Sequence, residues 1–171
     1  MKLPSNYPFT ISPEFGDVHF VDLLSLNKIA QKSLSVDELT YRFFSIEIPF
    51  VDWLFRLRCA LVKPFGLKGD SLPKQAPVFV RKYNVGEQIV IFTVASRTHN
   101  EIVLEDEDKH LNFRIYNIIK HNDDGTLSYH NSTVVHYNNV WGRIYFFFVR
   151  PFHTLIVLAS MHKLSKQMRT L

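Results

Sequence analysis

Val140–Leu171, VWGRIYFFFVRPFHTLIVLASMHKLSKQMRTL, is a long run that is apolar on almost every side, broken by an Arg-Pro pair near its middle. Such a helix must be wrapped, either by a curved sheet or by lipid. A bilayer span over Ile144–Met161 is just long enough, but it would carry Arg150, Pro151 and His153 near its centre. A central arginine alone costs about 2.5–3.5 kcal/mol on insertion scales. The expectation is therefore a buried core helix and no membrane span.

Upstream of this run the period changes to that of strands. His110–His121 alternates, with Leu111, Phe113 and Ile115 on one side and His110, Asn112, Arg114 and Tyr116 on the other. Asp123-Asp124-Gly125 closes a hairpin and Thr126–Asn138 returns. Glu101–Glu105 alternates around Ile102 and Leu104, and Glu105–Asp108 (EDED) lacks the spacing of a calcium loop and reads as a solvated turn. Gln88–Ala95 is apolar on both faces, which predicts a central, covered strand.

Toward the N-terminus, residues 1–14 form a proline-containing arm, and Asp17–Leu24 is a first strand candidate. Two short helices follow. Ser35-Val36-Asp37-Glu38 has the form of a capping box, with Val36, Leu39 and Phe43 on one face. Pro49 suits the first turn of the next helix, striped by Phe50, Leu54, Leu57 and Leu61. Lys63–Pro77, with three prolines and two glycines, is a long connection of the kind that serves as a lid or as a surface excursion. Strands segregated from helices predict an α+β domain spanning residues 15–171.

The bulk numbers narrow the classes. The chain has 171 residues, long enough for one real core, and 15 phenylalanines to fill a core or line a pocket. Net charge is +4 with the cations scattered, which argues against nucleic acid as a partner. One cysteine, Cys59, permits no intramolecular disulfide and no Cys-based zinc site. MKLPSNYPFTIS lacks an apolar h-region, so a signal peptide is not expected and the compartment expected is the cytoplasm. The histidines show no metal-ligand spacing, and no G-x-S-x-G or P-loop is present. No metal or cofactor is expected.

Three segments carry a family likeness: FRLRCALVKPFGLK (Phe55–Lys68), EIVLEDEDKHLNFRI (Glu101–Ile115) and WGRIYFFFVRPFHTLIV (Trp141–Val157). They resemble an uncharacterised bacterial domain family, a domain of unknown function, of the START-like (SRPBCC, helix-grip) superfamily of ligand-binding proteins. The resemblance implies a curved antiparallel sheet wrapped around the C-terminal helix with a hydrophobic cavity between them. Related copies are fused behind Rossmann-type NAD(P)-binding domains. This chain has no G-x-G-x-x-G, so it departs from that arrangement.

Two groups of residues are candidates for chemistry. His110, Asn112 and Arg114 share one side of one strand, and Glu101 comes from its neighbour. Facing a cavity they would anchor a ligand's carboxylate or carbonyl, or supply acid–base chemistry; facing solvent they would be the wet side of a sheet. Arg150 and His153 flank Pro151, whose missing N–H frees a helix carbonyl. They can cap freed carbonyls or reach a ligand. The leading expectation is non-catalytic binding of a hydrophobic small molecule or lipid. The alternatives are a cyclase- or dehydratase-like enzyme using His110 with Glu101 or Arg114, and an accessory module recognised by a filled core and an exposed apolar patch. Association with a second copy or a partner enzyme stays open.

Overall fold

The computed structural model describes residues 7–30, 33–48 and 82–169. The second predicted helix, with Trp53 and Cys59, and the Lys63–Pro77 connection lie outside the described residues. A short 3-10 turn (Pro13–Phe15) is followed by β1 (Phe20–Val21), β2 (Leu24–Ile29) and α1 (Val36–Phe44). Then come β3 (Gln88–Ile89), β4 (Phe92–Arg97), β5 (Glu101–Glu107), β6 (Leu111–His121), β7 (Leu127–Tyr137) and α2 (Val140–Arg169). The sheet is antiparallel in the order β1-β7-β6-β5-β4-β3, with β2 also on β7. The class is α+β, as expected.

The β6–β7 hairpin is the centre of the sheet. Its register runs unbroken from Leu111↔Tyr137 to His121↔Leu127. Gly125 at φ 76 makes the turn, and Asp124 accepts from the Thr126 backbone N–H at 2.9 Å.

Two strand expectations are corrected. Asp17–Leu24 resolves into β1 and the start of β2, interrupted at Asp22 and Leu23. Gln88–Ala95 is an edge hairpin, not a central strand: β3 folds back onto β4 through Val90, at φ 62. No glycine, asparagine or aspartate marks this turn, and a β-branched residue is costly in the left-handed region, so its sequence reads as a continuous strand.

Both helices lie on one face of the sheet. The α1 start is as predicted: the Ser35 hydroxyl accepts from the Glu38 N–H at 3.1 Å, and Val36, Leu39 and Phe43 are buried. Glu38 turns to Arg42 at 2.6 Å. Asp37, also buried, accepts from Arg97 of β4 at 2.9 and 3.2 Å and from the Tyr83 N–H at 2.8 Å, tying α1 to the sheet's far strands.

Helix α2 continues through Pro151. It buries Gly142 and Phe146 near its start, then Val157, Ser160, Met161, Leu164 and Met168 toward its end. Gly142 is required by close approach, since a Cβ there would lie 1.9 Å from the His110 carbonyl oxygen. The expected burial on nearly every side is not found among the described residues. The helix is long and apolar enough to cross a membrane, yet only 22% of its apolar window is buried. One face meets the sheet, and Trp141, Ile144, Phe147, Phe148, Leu155 and Leu158 stand exposed.

The N-terminal arm covers the opposite sheet face. Phe9 stacks on Tyr116 of β6 with ring centroids 4.2 Å apart. Phe9, Phe15 and Val18 are buried with Val103, Ile118 and Val134.

These contacts give a stability contrast. Asp37→Ala leaves the part-buried Arg97 with the Tyr83 carbonyl as its remaining acceptor and should cost about 2–3 kcal/mol. Breaking the more exposed Glu38–Arg42 pair with Arg42→Ala should cost less than about 1 kcal/mol. Gly142→Ala should cost about 1–3 kcal/mol through forced separation of α2 from the β5–β6 turn. Urea unfolding midpoints of the three variants check the ranking.

Candidate functional site

A polar strip runs across the middle of the helix-covered sheet face. On β7, Tyr129, Asn131 and Thr133 alternate toward that face, and all are buried. Asn117 of β6 pairs in register with Asn131. Its side-chain carbonyl accepts from the Tyr129 hydroxyl at 2.7 Å and from Asn131 Nδ2 at 3.0 Å. These bonds orient both amides. Asn117 Nδ2, Asn131 Oδ1 and Thr133 Oγ1 are left buried with no partner among the described residues. An unmet buried polar group costs about 1–3 kcal/mol. Three on one patch of sheet call for a complementary group, water or ligand.

Asp22 extends the strip. Its Oδ1 accepts from the Thr133 backbone N–H at 2.7 Å, and its Oδ2 lies 3.0 Å from His153 Nε2 on α2. The Ser132 hydroxyl donates to the Asp22 carbonyl. Where α2 passes over β2 and β7, at the Asp22 end of the strip, it is loosely seated: Val149, Phe152, His153 and Ile156 are half-buried, and no residue between Phe146 and Val157 is fully buried. Apolar side chains bound the strip, with Leu111, Val135 and Phe146 at one end, Val157 and Met161 at the other, and Ile115 and Ile119 opposite Thr133 and Tyr129. A carboxylate-held imidazole can accept or give a proton, and the two amides present one donor and one acceptor side by side.

The sequence candidates divide between separate places. Asn112, Arg114 and Glu101 lie half-buried on the face that the arm covers. Arg114 donates to Glu105 at 3.1 Å and lies 5.2 Å from the Phe15 ring centroid. Asn112 accepts from Asn138 Nδ2 at 2.9 Å. His110 is not part of the strand, which begins at Leu111. It sits in the β5–β6 turn with Nδ1 3.2 Å from Asn139 Oδ1. Glu101 begins β5 and His110 follows its far end, so the two are separated by the strand's length and do not form a pair. Arg150 lies 5.0 Å from the Phe20 ring centroid, and its carbonyl accepts from Thr154 Oγ1 at 3.0 Å. His153 alone reaches the polar strip.

Asp22, Asn117, Tyr129, Asn131 and Thr133 were not singled out from the sequence. A signal existed: asparagine is depleted in strands, and Tyr129-x-Asn131-x-Thr133 places polar groups at a period of two inside the best-defined hairpin.

Burial shapes the ionisation of several groups. It pushes the Glu101 carboxyl up and raises the Tyr116 hydroxyl, with Arg114 opposing the latter. It pushes Tyr129 strongly up, keeping that hydroxyl a neutral donor. The His130 imidazole is lowered by burial and then by Lys120, and its Nδ1 lies 2.7 Å from Ser25 Oγ. His19 is lowered by burial and by His136.

A mixed sheet–helix domain with an interior polar strip is the class these features define. The chain matches the family described as Protein of unknown function (DUF2867) over residues 14–160, and it belongs to that family. No curated protein and no solved structure matches it.

Two opposite pH dependences follow. His130 and His19 are lowered, so their contribution is complete above about pH 6.5 and is lost as pH falls through the depressed folded values. Glu101 is raised, so its contribution is present below the ordinary glutamate range and is lost as pH rises through the folded value. His130→Gln should flatten the fall in melting temperature between pH 7 and 5. Glu101→Gln should raise the melting temperature at pH 7 and leave it unchanged near pH 4. Thermal melts across that range check both.

Proposed function

We propose that this chain is a START-like, helix-grip ligand-binding domain that holds a small molecule or lipid between the sheet and α2. One observation carries the reading: three buried hydrogen-bonding atoms, Asn117 Nδ2, Asn131 Oδ1 and Thr133 Oγ1, have no partner among the described residues and are grouped on one sheet face beside a loosely seated stretch of helix. The ligand's polar end would pair with this donor–acceptor set, and its apolar body would lie along Phe146, Val149 and Ile156. Burial of that body contributes about 25 cal/mol per Å² removed from water. A neutral head group offering both an acceptor and a donor, such as a carboxamide, lactam or hydroxy-carbonyl, suits the amide pair better than a full anion.

A second reading has its own support. The Asp22–His153 pair, 3.0 Å apart, adjoins the same strip and resembles an oriented general base. In that reading the domain is an acid–base enzyme of the cyclase or dehydratase kind, with His153 and not His110 moving the proton.

Denaturing extraction and mass spectrometry of freshly purified protein test the first reading. A stoichiometric small molecule is expected, and Asn131→Leu, which removes the free Oδ1 acceptor and the Asn131–Asn117 hydrogen bond, should reduce its occupancy at least tenfold while the protein remains folded by circular dichroism. A bare wild-type protein that also gains no thermal stability from amphipathic amides or hydroxy-ketones would sink it. Turnover of such a compound that is lost in His153→Gln, with binding retained, would establish the enzyme reading instead.

A further inference from the structure

The exposed face of α2 poses a separate problem. Val140, Trp141, Ile144, Phe147, Phe148, Leu155 and Leu158 are between 42% and 73% exposed. At 3.6 residues per turn they fall on one arc, roughly opposite the arc of Phe146, Val157, Leu164 and Met168 that meets the sheet. The apolar arc extends over about 27 Å of helix. Beyond Leu158 the same arc turns cationic, with Lys166 and Arg169 exposed. Exposed apolar surface of this extent marks a docking site.

Charge selects the occupant. Helix α2 carries Arg143, Arg150, Lys163, Lys166 and Arg169 and no aspartate or glutamate. Trp141, Ile144, Phe148, Pro151, Leu155 and Leu158 do recur at alternating three- and four-residue steps, the spacing a second helix would use. Two copies laid seam to seam would bring cations only against cations, in parallel or antiparallel arrangement. An apolar arc flanked on one side by Arg143 and Arg150 and ending in a basic segment is complementary to an anionic lipid surface, with rings and leucines at the acyl boundary and cations among the head groups. Spanning is a different matter. The opposite face is seated on the sheet near both ends of the helix, at Gly142 and Phe146 and again at Leu164 and Met168. The helix can therefore lie in the interface plane without leaving the domain.

We infer that α2 docks this domain peripherally onto an anionic lipid surface through Trp141, Ile144, Phe147, Phe148, Leu155 and Leu158. The inference does not rest on the interior ligand site. Its test is sedimentation of the full chain with phosphatidylglycerol–phosphatidylcholine vesicles and with pure phosphatidylcholine vesicles, at low salt and at about 0.5 M salt, where the Debye length falls to a few Å. Binding to the anionic vesicles, weakened by salt, is expected. The double variant Phe147→Glu/Phe148→Glu should lose at least tenfold in affinity while keeping the wild-type melting temperature, since both side chains are exposed. Three results would overturn the inference. These are no sedimentation with either vesicle, equal and salt-insensitive binding to neutral vesicles, or a micromolar dimer by light scattering that the double variant dissociates.

Discussion

The register of β6 against β7 is the constraint on which the other features hang. Leu111–His121 lies against Leu127–Tyr137 without a bulge, so every side chain of both strands is committed to one face. A slip of one residue would send Ile115 and Ile119 to the arm side and expose Tyr116 and Ile118 to the helices. It would also separate Asn117 from Asn131. The same ladder gives β5 its place on β6 and β1 and β2 theirs on β7, and through Asp22 it fixes where α2 can be anchored.

That commitment produces two faces with different chemistry. The arm face is closed by aromatic stacking and by a charged pair lying under Phe15, so its polar residues are satisfied locally: Arg114 by Glu105 and Phe15, Asn112 by Asn138. The helix face is apolar at both ends and polar in the middle. Ile89, Ile102, Leu104 and Leu127 pack with α1 and the end of α2, and Leu111 and Val135 pack with Phe146. Between these patches the amides of Asn117 and Asn131 bond to each other and still leave a donor and an acceptor over. Each such atom costs about 1–3 kcal/mol where it lies unmet, and the proposed ligand site rests on that cost.

Much of this was legible in the sequence, and the misses have physical causes. Alternation in Leu111–Ile115, the Asp-Asp-Gly turn and the Ser35 cap each follow from local chemistry, and each appears where the residues place it. The β3–β4 turn at Val90 did not, because its residues favour the strand that the backbone refuses there. Alternation told which residues share a face but offered only cavity or solvent as the covering. The arm, a third covering, comes from more than ninety residues away and carries no periodic signal. His153 was found because a polar residue beside a helix proline is conspicuous. Its partner Asp22 was hidden in a strand candidate, and the amide pair was masked by the apolar residues around it.

The half-covered state of α2 follows from the same geometry. A sheet meets a helix along one side only, and the β7 face is already shared with α1 through the core of Tyr129, Phe43, Met161 and Leu164. A helix with apolar residues on both arcs therefore cannot satisfy both by packing within the described fold. Ordinary soluble helices avoid this by carrying charge on the outer arc. Here the outer arc is apolar from Val140 to Leu158 and basic beyond it, while the inner arc carries His153, which meets a carboxylate. The inner arc is thus apolar at its seats on the sheet and polar at His153, while the outer arc is apolar where it faces outward. A soluble monomer optimised only for stability would carry charge along the whole outer arc, and the apolar outer arc together with His153 on the inner one ties the two proposed surfaces to one helix.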